Sequence, residues 1–448
     1  MFKVVETFSG IGSQAKALEN IGIEHKILYT ADWDINAIIA YDLIHNGKQD
    51  LKKYERLSRE EIINKLNKYT LSMNGKKPAT KRAIQNLKYD VIIRLLASIE
   101  RTNNLVSITD VKGKQLPNDV DLLTYSFPCQ DLSVAGFWHG NKGGIDREAH
   151  NRSGMLWEIE RILKERVESN LQLPKFLLME NVSAILTNRH KQNFEEWTNY
   201  LKEIGYTNHI YTLNASDFGI PQKRVRTYMV SVFTNNNKDK ENQVERFFEK
   251  NNLEKKEYVK SIISKHRNLE DDILKLNYKN KQYRKEACEC QPNDTESRRE
   301  IYKKNDILYT NNKVNNIIVS TVTTKQDRHP NSGLIDYVSK DSSKSNYRYL
   351  TPRECFLLMG FDERDFQRII DNNFNSRKNE KFFTRDKLYK MAGNSIVVNV
   401  LEEIFKQIVY IEEEILTEKQ STTIDILKEQ IKLVNGITSK EIKHPIFT

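Results

Sequence analysis

From Lys3 to Phe233 the chain alternates short apolar runs with stretches of helical spacing, and few architectures accommodate that rhythm. It is the pattern of repeated strand–helix–strand units, which fold as a layered α/β structure. Lys3–Phe8 reads as a buried strand, Ser13–Ile21 as a helix, Ile27–Thr30 as a second strand and Ile35–His45 as a second helix. Asp121–Tyr125, Phe176–Met179 and Tyr228–Phe233 read as further strands, with a helix over Met155–Glu168. In open α/β sheets ligands bind at the carboxyl ends of the strands. Three chemically suggestive segments fall there: Phe8-Ser9-Gly10, Cys129 and Glu180.

The first of these, Phe8-Ser9-Gly10-Ile11-Gly12-Ser13-Gln14-Ala15, follows a strand and opens a helix. Its glycines let backbone approach a ligand, and the helix start offers free N–H groups. Asp32 lies twenty residues past Gly12, at the end of the second strand, where an acid holds a ribose hydroxyl. Alone, this turn fits NAD, S-adenosylmethionine, or a tight turn with no ligand.

Charge is unevenly distributed. The net charge is +10 and the pI about 9.1, a balance suited to a polyanionic partner. Residues 48–88 hold twelve Lys or Arg against four acids, and so carry most of that excess. Of the four cysteines, only Cys288 and Cys290 are close in sequence, and they lack the second pair a zinc site needs. No metal site and no disulfide framework are expected. The N-terminus enters a strand pattern without a signal peptide, and no apolar run reaches bilayer-spanning length. A soluble cytoplasmic protein without membrane contact is expected. After Phe233 the segment Thr234–Lys240 is polar and Asn-rich, marking a boundary. Residues 241–316 are weakly patterned, but Ser395–Val409 is a clear amphipathic helix and the tail from Glu412 reads as helical.

Six short segments occur in a telling order. They are Phe8-Ser9-Gly10-Ile11-Gly12, Phe127-Pro128-Cys129-Gln130, Glu180-Asn181-Val182, Gln222-Lys223-Arg224-Val225-Arg226, Leu350-Thr351-Pro352-Arg353-Glu354 and Gly393-Asn394-Ser395. Together they resemble the ordered motif series of the C5-cytosine DNA methyltransferases, of the restriction–modification type, from about residue 3 to 402. The resemblance implies a Rossmann-like S-adenosylmethionine-dependent methyltransferase domain with a second, smaller DNA target-recognition domain. It places the catalytic domain at 1–235, with a basic insertion at about 47–100, and a target-recognition and hinge region at 236–387. A return to the catalytic domain plus a tail would occupy 388–448.

The chemistry accounts for the residue types. Cytosine C5 is a poor nucleophile until a thiolate adds to C6, which makes C5 enamine-like; loss of the C5 proton later expels the thiol. The resemblance gives the nucleophile role to Cys129. It places Glu180 beside N3 as a proton source or partner, and Arg224 and Arg226 near the cytosine O2 and the adjoining phosphate. Because these arginines alternate, a strand would point both to one face. S-adenosylmethionine would contact Phe8, Gly10, Gly12, Asp32 (ribose), Trp33 (adenine) and Asn394, with no metal. Where the family often carries an Asp for the adenine amine, this chain has Ser107, so that contact falls to Ser107 or Asp110.

The implied partner is double-stranded DNA, with the target base flipped out for reaction, and a restriction endonuclease as functional counterpart to a monomeric enzyme in the bacterial cytoplasm or nucleoid. Ile273–Lys285 has five basic residues with Tyr278 and Tyr283 between them and no acid, a candidate for DNA contact or a solvated helix face. The insertion at 48–88 is expected to form a helical arm on the DNA backbone. Competing readings are a tRNA cytosine-5 methyltransferase, a non-catalytic DNA-binding regulator on the same fold, and an NAD oxidoreductase. The last leaves the cysteine, glutamate and arginine motifs unexplained.

Overall fold

A computed structural model of the chain describes residues 1–128, 132, 145–147, 153–338 and 341–416. The central sheet is built from β1 (Phe2–Thr7), β2 (His25–Ala31), β3 (Leu122–Tyr125), β4 (Phe176–Val182) and β5 (Tyr206–Asn214). After a two-residue β6 (Gln222–Lys223), β7 (Val225–Phe233) completes it. The strand order is β2-β1-β3-β4-β7-β5. The first four are mutually parallel, and β7 runs antiparallel to both β4 and β5. This is the expected Rossmann-like α/β architecture, with a mixed sheet.

The sheet divides its side chains between two cores, as the period of two in a strand requires. Val4, Leu122, Leu178 and Val230 enter one core; their neighbours Val5, Leu123, Leu177 and Met229 enter the other. Because both faces are covered, the central strands read as continuous apolar runs. The main helices are α1 (Ser13–Asn20), α2 (Ile35–Asn46), α3 (Arg59–Leu66), α4 (Tyr89–Arg101), α5 (Leu156–Glu168), α6 (Asn188–Glu203), α7 (Lys238–Lys250), α8 (Pro352–Leu358), α9 (Arg385–Asn394) and α10 (Val398–Ile411). Helices α1, α2, α4 and α10 supply the first core, and α5 and α6 the second.

The region after β7 does not leave the sheet where the sequence suggested. Helix α7 lies on the edge strand β5: Phe248 stacks on His209, with ring centroids 4.3 Å apart, and Phe247 stacks on Tyr410. The expected boundary at 236 therefore falls ahead of a helix packed on the catalytic layer. Further on, β8 (Ile307–Thr310), β9 (Lys313–Val314), β11 (Leu334–Asp336) and β12 (Tyr347–Tyr349) form a small sheet, ordered β12-β11-β8-β9. The intervening β10 (Val319–Ser320) pairs with β6. Leu308, Val319 and Ile335 join the first core, so this smaller unit is seated on the main one.

The Leu350–Glu354 motif is a helix start. Thr351 caps α8, Pro352 fills its first turn, and Glu354 closes a capping box. Glu354 also takes a bidentate contact from the fully buried Arg348, at 2.9 and 2.8 Å. The tyrosines expected on a DNA-facing stretch turn inward to this layer: Tyr278 accepts from Arg348 Nε, and the Arg353 guanidinium lies over the Tyr283 ring. Lys279, Lys281, Arg284 and Lys285 remain exposed. The expected helical tail lies, from 417 onward, outside the described residues. Among the described residues no helix is long and apolar enough to cross a membrane, and no cluster of metal-ligating side chains occurs.

Candidate active site

At the end of β1 the chain turns through left-handed backbone at Phe8, Gly10 and Gly12 (φ 53°, 55° and 81°). The two glycines are needed for different reasons. A Cβ on Gly12 would lie 2.1 Å from His45 Nε2, so the turn packs directly on α2. At Gly10 nothing lies within 4 Å of that position, and the backbone there faces open space that a ligand can enter. Asp32, at the end of the neighbouring β2, accepts from Gly10 N–H at 2.9 Å and from Asp34 N–H at 2.8 Å. Each carboxylate oxygen keeps a further lone pair for a hydroxyl donor. Burial, reinforced by nearby Asp34, pushes the Asp32 carboxyl up to about 7. Trp33 is half-buried beside it.

Two supports of this turn escaped the sequence reading. Asn104 Oδ1 accepts from Asp32 N–H and Val106 N–H, tying β2 to the segment that leads to Ser107. Ser107 is buried with its hydroxyl 2.8 Å from that of Thr109, whereas Asp110 is exposed. Below the turn, buried Glu6 accepts from the Tyr41 hydroxyl at 2.7 Å, and burial pushes its carboxyl up to about 7. Nothing in the local sequence distinguishes Asn104 from a surface asparagine.

Two strands over, β3 and β4 run side by side with Tyr125 opposite Met179. Beyond that register, Asn181 Nδ2 donates to the Phe127 carbonyl at 3.0 Å, and Ser153 Oγ to the Pro128 carbonyl at 2.7 Å. The loop start that leads to Cys129 is thus pinned beside Glu180; Cys129 itself lies outside the described residues. Glu180 is opposite Tyr228 and Arg226 is opposite Val182, so the alternation of β7 puts the arginine on the glutamate's face. Arg226 Nε stands 3.3 Å from Glu180 Oε1. Burial raises the Glu180 carboxyl, opposed by Arg226 and then Arg224.

Arg224 does not share that face, because it falls in the break between β6 and β7. Its buried guanidinium donates to the carbonyls of Val322 (3.0 Å), Gly393 (3.1 Å) and Ser395 (2.8 Å). The Gly393-Asn394-Ser395 segment is held by this clamp. Gly393 must be glycine here, since a Cβ would lie 2.4 Å from the Thr324 nitrogen. Asn394 is exposed at the end of α9. The structure therefore brings Phe8, Gly10, Gly12, Asp32 and Trp33 together at the β1–β2 edge. It pairs Glu180 with Arg226, and among the described residues Arg224 donates to three backbone carbonyls.

The basic insertion folds back onto α2 and α4, and all twelve of its Lys and Arg residues are exposed. Lys53 and Lys65 pair with Glu100. Lys76, Lys77, Lys81 and Arg82 have no ion pair among the described residues.

Residues 69–410 match the family model of the C-5 cytosine-specific DNA methylases. The chain is 35% identical to the orphan methyltransferase M.SssI of Spiroplasma monobiae, over 91% of this chain and 97% of that protein. It is 32% identical to the type II methyltransferase M2.ScrFI of Lactococcus lactis subsp. cremoris, over 91% and 99%. The crystal structure of S. pombe Dnmt2 methyltransferase superposes with a TM-score of 0.54 at 18% identity, covering 91% of this chain and 98% of that one, and supports the fold. With the family model spanning most of the chain, this protein belongs to the C-5 cytosine-specific DNA methylases and is a DNA cytosine-5 methyltransferase.

Proposed function

We propose that the enzyme methylates C5 of a flipped-out cytosine within a short specific duplex sequence, through a covalent bond between Cys129 Sγ and cytosine C6. The observation that carries this reading is the meeting of Glu180 and Arg226 beside the pinned Phe127-Pro128 segment that leads into Cys129. Addition of the thiolate to C6 moves electron density towards N3, where a largely buried carboxylic acid with a raised pKa is suited to supply a proton. Arg226 steadies the carboxyl and faces the charge that develops near O2. Once C5 has taken the methyl group and left the donor as the thioether, return of the N3 proton, loss of the C5 proton to a base and release of the thiolate restore the aromatic ring.

Enzymes of this family use S-adenosylmethionine, which supplies an electrophilic methyl group when bound. The β1–β2 edge suits it: Gly10 leaves open backbone, Asp32 offers acceptor lone pairs for ribose hydroxyls, and half-buried Trp33 offers an aromatic face. Phe8 and Gly12 shape the turn, while Asn394 and Ser107 border the site in this reading. Arg224 serves as scaffold in this reading, and no step uses a metal. The smaller unit around β8–β12 would read the target sequence, with double-stranded DNA as partner and a monomeric enzyme acting in the cytoplasm. We assign the enzyme to protection of DNA against a cognate endonuclease, the setting of relatives named type II methyltransferases; the relative named an orphan methyltransferase marks the alternative of an enzyme acting without one.

The test is Cys129→Ser assayed with labelled S-adenosylmethionine on duplex DNA and on tRNA. Transfer to DNA by the parent enzyme, abolished in the variant while DNA and cofactor binding persist, is the expected outcome. Transfer to tRNA alone, or undiminished turnover of the variant, would overturn the reading.

A further inference from the structure

The loop 71–79 of the basic insertion returns to the sheet at the very segment assigned to the cofactor. Ser72 N–H donates to the Trp33 carbonyl at 2.7 Å and Ile35 N–H to the Ser72 carbonyl at 3.0 Å, a strand-like bridge across Asp34. Asn36 Nδ2 reaches both Asp34 Oδ1, at 2.7 Å, and the Met73 carbonyl, at 3.1 Å. From the far end of the chain, Lys390 on α9 inserts its ammonium between the two partners. It donates to Asp34 Oδ2 at 2.6 Å and to the Asn74 carbonyl. The contact is tight: a Cβ on Gly75, itself at φ 66°, would lie 3.0 Å from Asp34 Oδ2 and 3.4 Å from Lys390 Nζ. Asp34 N–H then donates to Asp32, and Asp32 accepts from Gly10, so one line of hydrogen bonds runs from Lys390 to the glycine turn.

We propose that Lys390 is a positioning residue for the cofactor site, clasping the insertion loop at Asn74 to Asp34 so that loop 71–79 forms the outer wall of the pocket bounded by Asp32 and Trp33. This rests on the assignment of the β1–β2 edge to S-adenosylmethionine. The clasp joins three stretches remote in sequence: β2 and its turn, the insertion, and the helix that ends at Asn394. One ammonium satisfying a carboxylate and a carbonyl is a stronger tie than either neutral contact would be. Without it, Asp34 would lose its ion pair beside Asp32, and loop 71–79 would keep its backbone bridge but lose its tether to α9. The insertion thereby has a role at the methyl-donor site in addition to any contact with DNA.

The experiment compares full-length parent, Lys390→Met, Lys390→Arg and Gly75→Ala. Binding of S-adenosylhomocysteine is measured by calorimetry, and KM for S-adenosylmethionine is measured against kcat on duplex DNA. Lys390→Met is expected to weaken binding and raise KM by about tenfold, with kcat at saturating cofactor falling much less, the signature of lost ground-state binding. Lys390→Arg should recover most of the affinity. Gly75→Ala approaches the clasp from the insertion side at a half-buried loop residue, and should raise KM several-fold even if Lys390→Met folds poorly. Parent-like KM values in both Lys390→Met and Gly75→Ala, or equal loss of kcat and affinity with no rescue by arginine, would overturn the proposal. A parent enzyme that transfers methyl groups while Asp32→Ala leaves its cofactor affinity unchanged would instead overturn the cofactor assignment, and the clasp with it.

Discussion

Replacing Arg224 by methionine should cost stability first and activity only as a consequence. The side chain is 4% exposed and gives its hydrogen bonds to three backbone carbonyls, at Val322, Gly393 and Ser395. A hydrogen bond from a charged donor contributes about 1.5–3 kcal/mol net, and truncation also leaves buried acceptors unsatisfied. The three bonds share one side chain and do not add independently, so about 3–5 kcal/mol is the expected loss for Arg224→Met. That is a large part of the roughly 5–15 kcal/mol by which a domain is normally stable. Arg224→Lys keeps the charge but not the planar fork, and should recover about one third of the loss. Urea unfolding followed by tryptophan fluorescence reads the change as a shift in midpoint at constant slope. Methyl transfer measured well below the unfolding midpoint should survive within about tenfold, given the indirect role. A variant that unfolds within about 1 kcal/mol of the parent yet has lost methyl transfer by a thousandfold would refute the scaffold assignment and return Arg224 to the substrate.

Glu180→Gln removes the proton that a raised carboxyl can give, and should lower kcat by about 10²–10⁴ with the fold retained, since the amide keeps the size of the carboxyl and an oxygen acceptor for Arg226; a variant within threefold of the parent by methyl-transfer assay would exclude acid catalysis at this position. Glu6 and Asp32 are both raised to about 7 by burial, so they hold protons in the folded state that the unfolded chain has released. Their contribution is therefore present below about pH 4 and lost as pH rises through 7, and melting curves of the ligand-free protein from pH 5 to 8 should decline, less steeply in Glu6→Gln; identical slopes in the two proteins would contradict this. Neutralising Lys76, Lys77, Lys81 and Arg82 together should flatten the log–log dependence of DNA affinity on salt by about 3.6, as expected if each meets a phosphate; an unchanged slope in filter-binding titrations would remove the insertion from the DNA interface.

What the sequence made legible follows from burial. β1, β3, β4 and β7 are covered on both faces, so each carries a run of apolar residues that announces itself. β5 is an edge strand, Tyr-Thr-Asn-His-Ile-Tyr-Thr-Leu-Asn, with most of its residues only half-buried, and its polar content hid it. The glycine turn was legible because its left-handed backbone favours glycine at fixed spacing, whereas Glu180-Asn181 was placed by the resemblance of the motif series. Arg224 was not, because its acceptors are main-chain carbonyls of residues that carry no mark of the contact. For the same reason the insertion displayed its charge but not its bridge to Trp33, which is made by backbone N–H and C=O groups. Tyr278 and Tyr283 read either as aromatic residues set among cations for nucleic acid or as part of a solvated face; the cations they meet are Arg348, Arg353 and Lys275 of the protein itself.

The two arginines separated by one residue show how a short motif can hold two jobs. β6 pairs with β10 of the smaller unit and β7 pairs with β4 of the catalytic sheet, so the chain must change partners between them. Arg224 sits at that change and draws together segments 98, 169 and 171 residues away in sequence. Arg226 sits two residues later, where strand alternation aims it at Glu180. The start of β7 is paired on both sides, with Arg226 opposite Val182 of β4 and Leu213 of β5, so the sheet register sets the distance of the second arginine from the carboxyl while the first ties that register to the three remote segments. The spacing of the motif is thus set by the strand geometry that converts a scaffold contact into the placement of a neighbouring side chain.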